Sequence, residues 1–444
     1  MVMFTVGLGL GRTFTVSGIP WGGSTYAGSG YANLVAGTEN WPSTGADVSP
    51  GNVYDLWHAA INSRGQSFSA DTPRDLSDAL ATALNRILER ESAAAALATN
   101  STRLATDTLL FQARFFSGTW TGALTAYAIN TDGSVGNVQW EATASGKIPA
   151  HGSRNIYTWN GISSAGTTFT ESGLNSAGLW SSIGSTALLD YLRGDTANEN
   201  PSGLRYRARG GPLGDIVNSD PAFVATENYG YTALASEGSS YPAFLAAKKT
   251  RTKMLYVGSN DGFLRAFNAL TGQELFAYVP SAIVPDLPQL ADVNYSHRFY
   301  VDGAPAAWDA YFGGGWKTVL TGTTGAGGRS VFALDVTDPS SFGASSVLWE
   351  INQNTGTRTG DAADPQYGAR LGQTIGQAVV AKMNNGEWAA VFGNGYRSPG
   401  DTAASIPGDQ GSLYIVRISD GTLIRRIDTG FGSLGAPNGL GTPT

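Results

Sequence analysis

Few residues in this chain have the types and spacing that chemistry requires. The three histidines, His58, His151 and His297, lie far apart in the sequence. No pair stands four residues apart, the spacing that places two imidazoles on one face of a metal-binding helix. We therefore expect all three to be structural. The chain also has no cysteine, which excludes disulfides, thiolate catalysis, iron–sulfur clusters and Cys-based zinc sites.

The usual nucleophile and phosphate motifs are also missing. The sequence contains no Gly-x-Ser-x-Gly elbow, so a Ser–His–Asp triad has no support. The glycine-rich run Gly322–Ser330 resembles a phosphate-binding loop, but it has no lysine. It also lies between two predicted strands rather than at the start of a helix. We interpret it as a turn between strands and predict that the chain is not an enzyme.

Two acidic turns deserve comparison with calcium loops. Asn130–Gly133 and Ser419–Gly421 each offer at most two side-chain oxygens, whereas calcium takes about six to eight oxygen ligands. The pair Asp361 and Asp364 is equally poor in ligands. We predict that these segments are turns and not metal sites.

One tripeptide is a candidate binding motif: Arg193-Gly194-Asp195. On an exposed loop, its guanidinium and carboxylate could bridge the acidic pocket and the metal ion of an integrin. Glycine at 194 favours a tight exposed bend after the helical-looking Ala187–Leu189. We expect the tripeptide to be solvent-accessible but mainly structural, with Arg193 or Asp195 paired to the neighbouring chain. A true cell-attachment site is the alternative.

The composition indicates the elements that position these residues. Glycine makes up 59 of 444 residues, charged residues only 14% and hydrophobic residues 41%. This favours a folded protein of many short strands joined by turns over a disordered one. The net charge is −7, and the densest basic run, Arg205–Arg209, has three charges. A nucleic-acid partner is therefore not expected. No apolar run is long enough to predict a transmembrane helix.

A repeat appears after Thr108. Four segments are alternating strands that end in a polar or glycine turn: Leu124–Gly133, Leu264–Gly272, Val331–Asp338 and Leu413–Gly421. Three are followed by a strand with an aromatic residue: Trp140, Phe276 and Trp349. Three are preceded by a short strand ending in glycine: Val257–Gly258, Leu320–Gly322 and Val391–Gly393. The first interval is about twice the others, so we expect it to span two units of about 70 to 80 residues each. Such units predict a mainly β protein with a β-propeller over residues 108–444.

The first 98 residues carry a different pattern. A strand at Phe4 precedes a helix around Tyr54–Asn62 and a strand at Gln66–Ser69. A second helix is predicted from the cap at Thr72 and Pro73. Its apolar stripe is Leu76, Leu80, Ala83, Leu84, Ile87 and Leu88, and the Ala93–Ala98 stretch can prolong it. This order predicts the closing section of an α/β domain over residues 1–98, with a free-standing helical linker as the alternative.

Several longer motifs resemble one family. They are Leu192–Asp195, Leu213–Ala222, Leu255–Asn268, Tyr295–Gly303 and Gly325–Pro339. These look like the C-terminal β-propeller of the PilY/PilC type IV pilus tip-associated proteins, over about residues 108–444. Residues 1–98 look like the last part of a von Willebrand A-like domain. Because neither end of the chain looks like a natural terminus, we expect a fragment of a larger protein, with the propeller incomplete at its C-terminus.

The resemblance implies an exported protein of the outer membrane, cell surface or pilus tip, with its signal peptide upstream of this fragment. Members of the family promote pilus assembly by opposing retraction, associate with minor pilins, and support adhesion to a host or surface receptor and twitching motility. A calcium ion regulates retraction in family members, and some engage integrins through Arg-Gly-Asp.

Two departures from the family concern calcium. The Asp-rich calcium loop of the family would fall after Pro443, and a second loop would fall near Leu174–Gly178, which has no carboxylate. The metal-ion adhesion motif of a von Willebrand A domain would precede Met1. No calcium ligand can therefore be assigned within this chain.

Our functional prediction is a non-enzymatic pilus biogenesis factor and adhesin. Two alternatives stay open. The turn Ala266–Gly272 resembles turns of quinone-dependent dehydrogenase propellers, which would need calcium and an acidic pocket. The many tryptophans and tyrosines are also compatible with a carbohydrate-binding propeller.

Overall fold

The computed structural model describes residues 3–8, 15–16, 19–44, 51–80, 94–99, 109–200, 206–355, 367–400 and 407–444. The chain forms two compact units, Met1–Ser92 and Ala93–Thr444.

The first unit contains a parallel strand pair joined through a helix. Strand β1 (Phe4–Leu8) pairs in parallel with β4 (Gln66–Ala70), and helix α2 (Gly51–Asn62) packs on both. The strand–helix–strand–helix order predicted here is present, because residues 73–80 form the next helix, α3. The remaining elements are β2 (Thr15–Val16), β3 (Ile19–Pro20) and α1 (Ser29–Ala36). The core of the unit is Ile19, Trp21, Tyr54 and Trp57.

The predicted extension of the second helix to Ala98 is wrong. Residues Ala94–Thr99 form strand β5, which pairs antiparallel with β6 (Leu109–Phe116). Alanine has the highest helix propensity, but the edge of β6 offers a row of backbone partners, and tertiary pairing overrides propensity. The stripe positions Ala83, Leu84, Ile87 and Leu88 lie outside the described residues. The mainly β part of the chain therefore begins at Ala94 rather than at Thr108.

Within the described residues, four groups of four consecutive antiparallel strands follow, and we call them blades 1 to 4; three of them are separate four-stranded sheets, whereas blade 2 is part of a six-stranded sheet. Blade 1 is β5, β6, β7 (Thr121–Ile129) and β8 (Val135–Glu141). Blade 2 is β11 (Ala222–Val224), β12 (Met254–Ser259), β13 (Phe263–Asn268) and β14 (Glu274–Val279). Blade 3 is β15 (Ala306–Phe312), β16 (Gly315–Thr323), β17 (Ser330–Asp335) and β18 (Val347–Asn352). Blade 4 is β19 (Val379–Lys382), β20 (Trp388–Gly393), β21 (Ser412–Arg417) and β22 (Leu423–Asp428).

The blades are arranged as in a propeller. Their first strands contact one another in sequence, β5 with β11, β11 with β15, and β15 with β19. First strands are the innermost strands of propeller blades. The predicted mainly β fold with a propeller is confirmed.

The described residues of the long first interval form no extra blade, so the prediction that it spans two units is wrong. It contains a hairpin, β9 (Ile156–Asn160) and β10 (Ala165–Thr168), in which β9 pairs in parallel with β14 at the outer edge of blade 2. Three helices follow: α4 (Glu171–Ser176), α5 (Trp180–Ile183) and α6 (Thr186–Arg193). Helix α7 (Tyr241–Lys248) lies between β11 and β12.

The sequence repeat corresponds to one position in each blade. All four segments contain or overlap the third strand, and all four third strands carry a bulge against the fourth. The aromatic residues of the fourth strands contact the next blade. Trp140 Nε1 donates to the Ala269 carbonyl at 2.9 Å, and Trp349 Nε1 donates to the Ile418 carbonyl at 2.8 Å. Phe276 stacks on Phe342, with ring centroids 3.6 Å apart. We call these three contacts the docking contacts.

Candidate functional site

The Arg193-Gly194-Asp195 tripeptide lies at the C-terminal end of helix α6. The Ser185 hydroxyl caps the start of the helix by accepting from the Leu188 amide at 3.4 Å. Gly194 ends it in a left-handed conformation, with φ of 115°, which glycine adopts without a steric penalty. The Asp195 amide then donates to the Asp190 carbonyl at 2.8 Å. The bend predicted at Gly194 is present as a helix C-cap.

The Arg193 side chain points into the protein, and only 7% of the residue is exposed. Its guanidinium donates to three backbone carbonyls: those of His151 at 2.8 and 3.1 Å, Phe169 at 2.7 Å and Arg154 at 3.0 Å. Burial and the nearby Arg154 guanidinium lower the pKa of Arg193 from its usual value.

Arg193 adjoins a buried ionic network. The Arg154 guanidinium donates to the Arg193 carbonyl at 2.7 Å and pairs with Glu274 at 2.7 and 3.0 Å. Glu274 also pairs with Arg265 at 2.7 Å, and Arg265 pairs with Asp261. Since each of these charges has a partner, the network meets the condition under which buried ions are tolerated.

Asp195 is the accessible member of the tripeptide. Its side chain is 22% exposed, and its Oδ1 atom lies 3.8 Å from His151 Nδ1 and accepts from the Ala197 amide at 3.2 Å. Its carbonyl accepts from Arg209 at 2.8 Å, and Arg209 pairs with Glu199 at 2.6 Å. The loop at Asp195 is therefore held by contacts of both the Asp195 side chain and its backbone carbonyl.

The prediction that the whole tripeptide is solvent-accessible is wrong for Arg193. Helix α6 is amphipathic, and its last turn places the guanidinium over the segments that carry His151 and Phe169. Within the described residues, Arg193 and Asp195 both form the expected hydrogen bonds with neighbouring parts of the chain. In this conformation the guanidinium and the carboxylate do not project together from the surface.

Three of the family-like motifs meet in a second polar site, which we call the Asp215 cluster. Asp215 is 1% exposed, and its Oδ2 atom accepts from Asn260 Nδ2 at 2.8 Å and lies 2.7 Å from His297 Nε2. Beside it, Asn218 donates to both carboxylate oxygens of Asp302, at 2.7 and 3.2 Å. Burial raises the pKa of the Asp302 carboxyl above its usual range, although the Asn218 hydrogen bonds oppose the shift.

The Asp215 cluster explains why those motifs contain so many polar residues. Ser219 continues the cluster: its hydroxyl donates to the Gly303 carbonyl at 3.1 Å and accepts from the Gly258 amide at 2.8 Å. The motifs thus join the segment before blade 2, the second strand of that blade and the segment before blade 3. Their recurring Asp, Asn and Ser residues could be recognised in the sequence, but their mutual contacts could not.

Two of the three histidines stack on tryptophans, whereas the His151 side chain is 38% exposed. His58 stacks on Trp41 with centroids 4.4 Å apart, and His297 stacks on Trp120 at 3.9 Å while contacting Asp215. Within the described ranges, no three His, Asp or Glu side chains converge in a way that could hold a metal ion.

The acidic turns are occupied by local hydrogen bonds. Asp132 Oδ1 accepts from the amide and the hydroxyl of Ser134 at 2.9 and 2.6 Å. Asp420 accepts from the Thr422 amide at 2.9 Å and pairs with Arg417 at 3.2 Å. Asp361 and Asp364 lie outside the described residues. The segment Leu174–Gly178 also does not fit a calcium ion, because Leu174 is fully buried and no carboxylate is present in it.

A cavity of about 310 Å³ opens beside the β9–β10 hairpin. Its lining includes Trp159, Ser164, Ser281, Asn352 and Asn354. Among the described residues that line it, Trp159 is the only aromatic one; Trp159 is 3% exposed, so it presents no ring face for stacking on a sugar. Across the part of the chain that the structure describes, no helix is long and apolar enough to cross a membrane.

Comparison with known proteins places these features in a family. Residues 213–444 match the sequence model of the PilY1 beta-propeller domain. The type IV pilus biogenesis factor PilY1 of Pseudomonas aeruginosa (strain UCBPP-PA14) is 38% identical over 478 residues, covering 100% of this chain and 38% of that protein. A PilY1 homolog of Xylella fastidiosa (strain Temecula1) is 37% identical over 354 residues, covering 70% of this chain and 22% of the relative.

A solved structure is also similar. The crystal structure of the P. aeruginosa PilY1 C-terminal domain shares 37% sequence identity, with a TM-score of 0.39. The match covers 50% of this chain and 40% of that one. The chain spans 38% of the length of the first Pseudomonas relative.

Proposed function

Because the chain belongs to the PilY1 β-propeller family, we propose that it is part of a type IV pilus biogenesis factor. In this role it promotes pilus extension by opposing retraction and supports surface attachment and twitching motility. The observation that carries the proposal is the similarity to Pseudomonas PilY1 along the whole chain, at 38% identity. That relative is named a type IV pilus biogenesis factor.

The proposed mechanism is recognition by a rigid scaffold rather than catalysis. Docking contacts and buried polar clusters hold the blades in fixed positions, and the loops between strands vary in length. Such loops on a fixed scaffold are the usual place for binding. We propose minor pilins of the pilus tip as one partner and a host or surface receptor as the other. This implies export to the cell surface.

Deletion of the gene in the native organism tests the function. We expect fewer surface pili by electron microscopy and smaller twitching zones, both restored by a wild-type copy. A useful second strain combines the deletion with a retraction-ATPase deletion, in which opposition to retraction is no longer needed. Pili should return in that strain. Unchanged piliation and twitching in the single deletion would contradict the proposal.

The enzymatic alternative has a direct assay. A quinone-dependent dehydrogenase needs calcium and an acidic pocket. By contrast, the described lining of the cavity beside the β9–β10 hairpin consists of amide, hydroxyl and apolar residues. We expect no reduction of an electron-acceptor dye when the purified chain is mixed with pyrroloquinoline quinone, calcium and simple alcohols. A quinone-dependent rate would support the enzyme. Binding on a glycan array would similarly support the carbohydrate alternative.

A further inference from the structure

Lys248 and Asp309 form a fully buried pair that the proposed function does not use. Lys248 is the last residue of helix α7, and Asp309 lies in the middle of β15, the first strand of blade 3. Their side chains are 1% and 0% exposed. The Lys248 Nζ atom lies 2.9 and 3.0 Å from the two carboxylate oxygens of Asp309. The amine is thus held against the carboxyl group by two rigid elements.

Aromatic rings and hydroxyl donors enclose this pair. Lys248 Nζ lies 5.4 Å from the centroid of the Tyr229 ring and 5.8 Å from that of Phe244. The Tyr241 hydroxyl donates to Asp309 Oδ2 at 2.8 Å, and the Thr318 hydroxyl donates to Oδ1 at 2.9 Å.

A second carboxylate stands beside the amine. The Glu227 carboxylate oxygen Oε2 lies 4.0 Å from Lys248 Nζ, and the Glu227 side chain is 35% exposed. The backbone carbonyl of Glu227 also accepts a hydrogen bond from Lys248 Nζ at 2.8 Å. The site therefore combines an amine, a carboxyl group in contact with it, donors on both carboxyl oxygens and a nearby base.

We propose that Lys248 and Asp309 become joined by an intramolecular isopeptide bond. The new bond links Lys248 Nζ to Asp309 Cγ, and one water molecule leaves. The starting ammonium and carboxylate and the final neutral amide plus water contain the same atoms and the same net charge. No oxidant, reductant or other co-reactant is needed.

The described groups supply each step. Asp309 first takes one proton from the Lys248 ammonium, giving a neutral amine beside a carboxylic acid. The nitrogen then attacks Cγ, and the oxygen that stays develops negative charge where Thr318 donates its hydrogen bond. Pre-placed donors of this kind stabilise a developing oxyanion. Glu227 removes a proton from the attacking nitrogen and returns it to the leaving hydroxyl, which departs as water when the Cγ–O bond breaks.

Two physical effects favour the bond over a lasting ion pair. Groups held in contact react with effective molarities of about 10⁵ M or more when well oriented, which compensates for water as the competing solvent. Taking two ions out of water is also costly, and Coulomb attraction repays that cost only in part. Conversion to a neutral amide removes both charges from this buried site beside the Tyr229 and Phe244 rings.

The bond joins an insertion of blade 2 to the first strand of blade 3. Helix α7 belongs to the segment between β11 and β12, so the crosslink closes a covalent loop across two blades. This inference does not rest on the proposed role in pilus biogenesis, and its test does not depend on that role.

Denaturing mass spectrometry of the purified 444-residue chain tests the bond. We expect an intact mass about 18 Da below the sequence mass, the loss of one water, and a branched proteolytic peptide joining the segments of Lys248 and Asp309. Lys248→Arg keeps the positive charge but should restore the full mass. Glu227→Gln should slow closure and give a mixture of the two masses.

A second Lys–Asp pair provides the matched control. Lys317 and Asp335 are 2.5 Å apart but more exposed, at 34% and 16%, so Lys317→Arg should leave the 18 Da deficit unchanged. An intact mass equal to the sequence mass in the wild-type chain would overturn the proposal. A deficit that persists in Lys248→Arg would also overturn it, because the bond would then lie elsewhere. The wild-type peptide map decides the question even if a variant folds poorly.

Discussion

Arg193 connects the end of helix α6 to two other backbone segments, residues 151–154 and the residue that follows β10. Its guanidinium satisfies the carbonyls of His151, Phe169 and Arg154. A lysine at this position keeps the charge but has one nitrogen, which cannot reach all three oxygens. We expect Arg193→Lys to lower the free energy of unfolding by about 2–3 kcal/mol, since buried carbonyls are left without donors. Urea denaturation monitored by tryptophan fluorescence measures this.

Asp195→Glu is the matched control at the accessible end of the tripeptide. We expect it to change stability by less than about 0.5 kcal/mol, as is usual for a surface substitution, and to leave adhesion to integrin-coated surfaces unchanged. Loss of adhesion at an unchanged melting temperature would instead show that the attachment site is real, because a longer carboxylate should not fit integrin metal coordination.

Glu237 makes stability depend on pH. Burial by itself raises the pKa of Glu237, but hydrogen bonds from Lys382, Ser236 and Trp388 lower it to about 2. Because the folded pKa lies below the unfolded value of 4.5, the stabilisation is present above pH 4.5 and is lost as pH falls toward 2. The loss amounts to at most about 3 kcal/mol, and less where water screens the ion pair.

The Glu237→Gln variant isolates this contribution. Between pH 6 and pH 3 the wild-type chain should lose more stability than the variant, as measured by urea denaturation at each pH. Other carboxylates titrate equally in both proteins, so the difference between the two curves reports Glu237. Parallel curves would show that the contacts with Lys382 and Trp388 do not depend on the charge.

At the scale of elements, the docking contacts join consecutive blades. Trp349 is fully buried, and its indole donates to the Ile418 carbonyl. Trp349→Phe keeps an aromatic ring but removes the donor, so we expect a loss of about 1–2 kcal/mol. Trp349→Ala also leaves a cavity and should cost about 3–5 kcal/mol. Thermal unfolding measures these losses. Ile162→Ala is the control, because Ile162 is 75% exposed. Equal losses of stability in the three variants would contradict the docking role of Trp349.

The strands with strict alternation could be predicted from the sequence, because their apolar faces are buried whatever their neighbours. Strand β21 alternates in this way, with Tyr414 and Val416 buried. The aromatic residues Trp140, Phe276 and Trp349 are apparent from their positions after the other three repeated segments. Three features could not be predicted. The strand at Ala94–Thr99 depends on a partner edge, and the β9–β10 hairpin joins a strand that follows it by more than a hundred residues. Burial of Arg193 depends on carbonyls about 24 to 42 residues away.

At the scale of the whole chain, the position of the boundary between the two units predicts the thermal stability of fragments. The second unit begins at Ala93, and β5 supplies the first strand of blade 1. A fragment of residues 93–444 should unfold at the temperature of the propeller transition in the full chain. A fragment of residues 108–444 lacks β5, exposes the edge of β6, and should melt lower by about 5 °C or more. Equal melting temperatures would show that β5 is dispensable.

The docking contacts also distribute evolutionary constraint unevenly. In two of the three, the acceptor is a main-chain carbonyl, that of Ala269 or Ile418. Every amino acid carries that oxygen, so the acceptor position is free to drift in side-chain identity without losing the hydrogen bond. The donor position cannot change in this way, because tryptophan alone combines a large aromatic surface with an indole N–H. Lineages of this propeller should therefore keep Trp140 and Trp349 while the residues they dock against diverge.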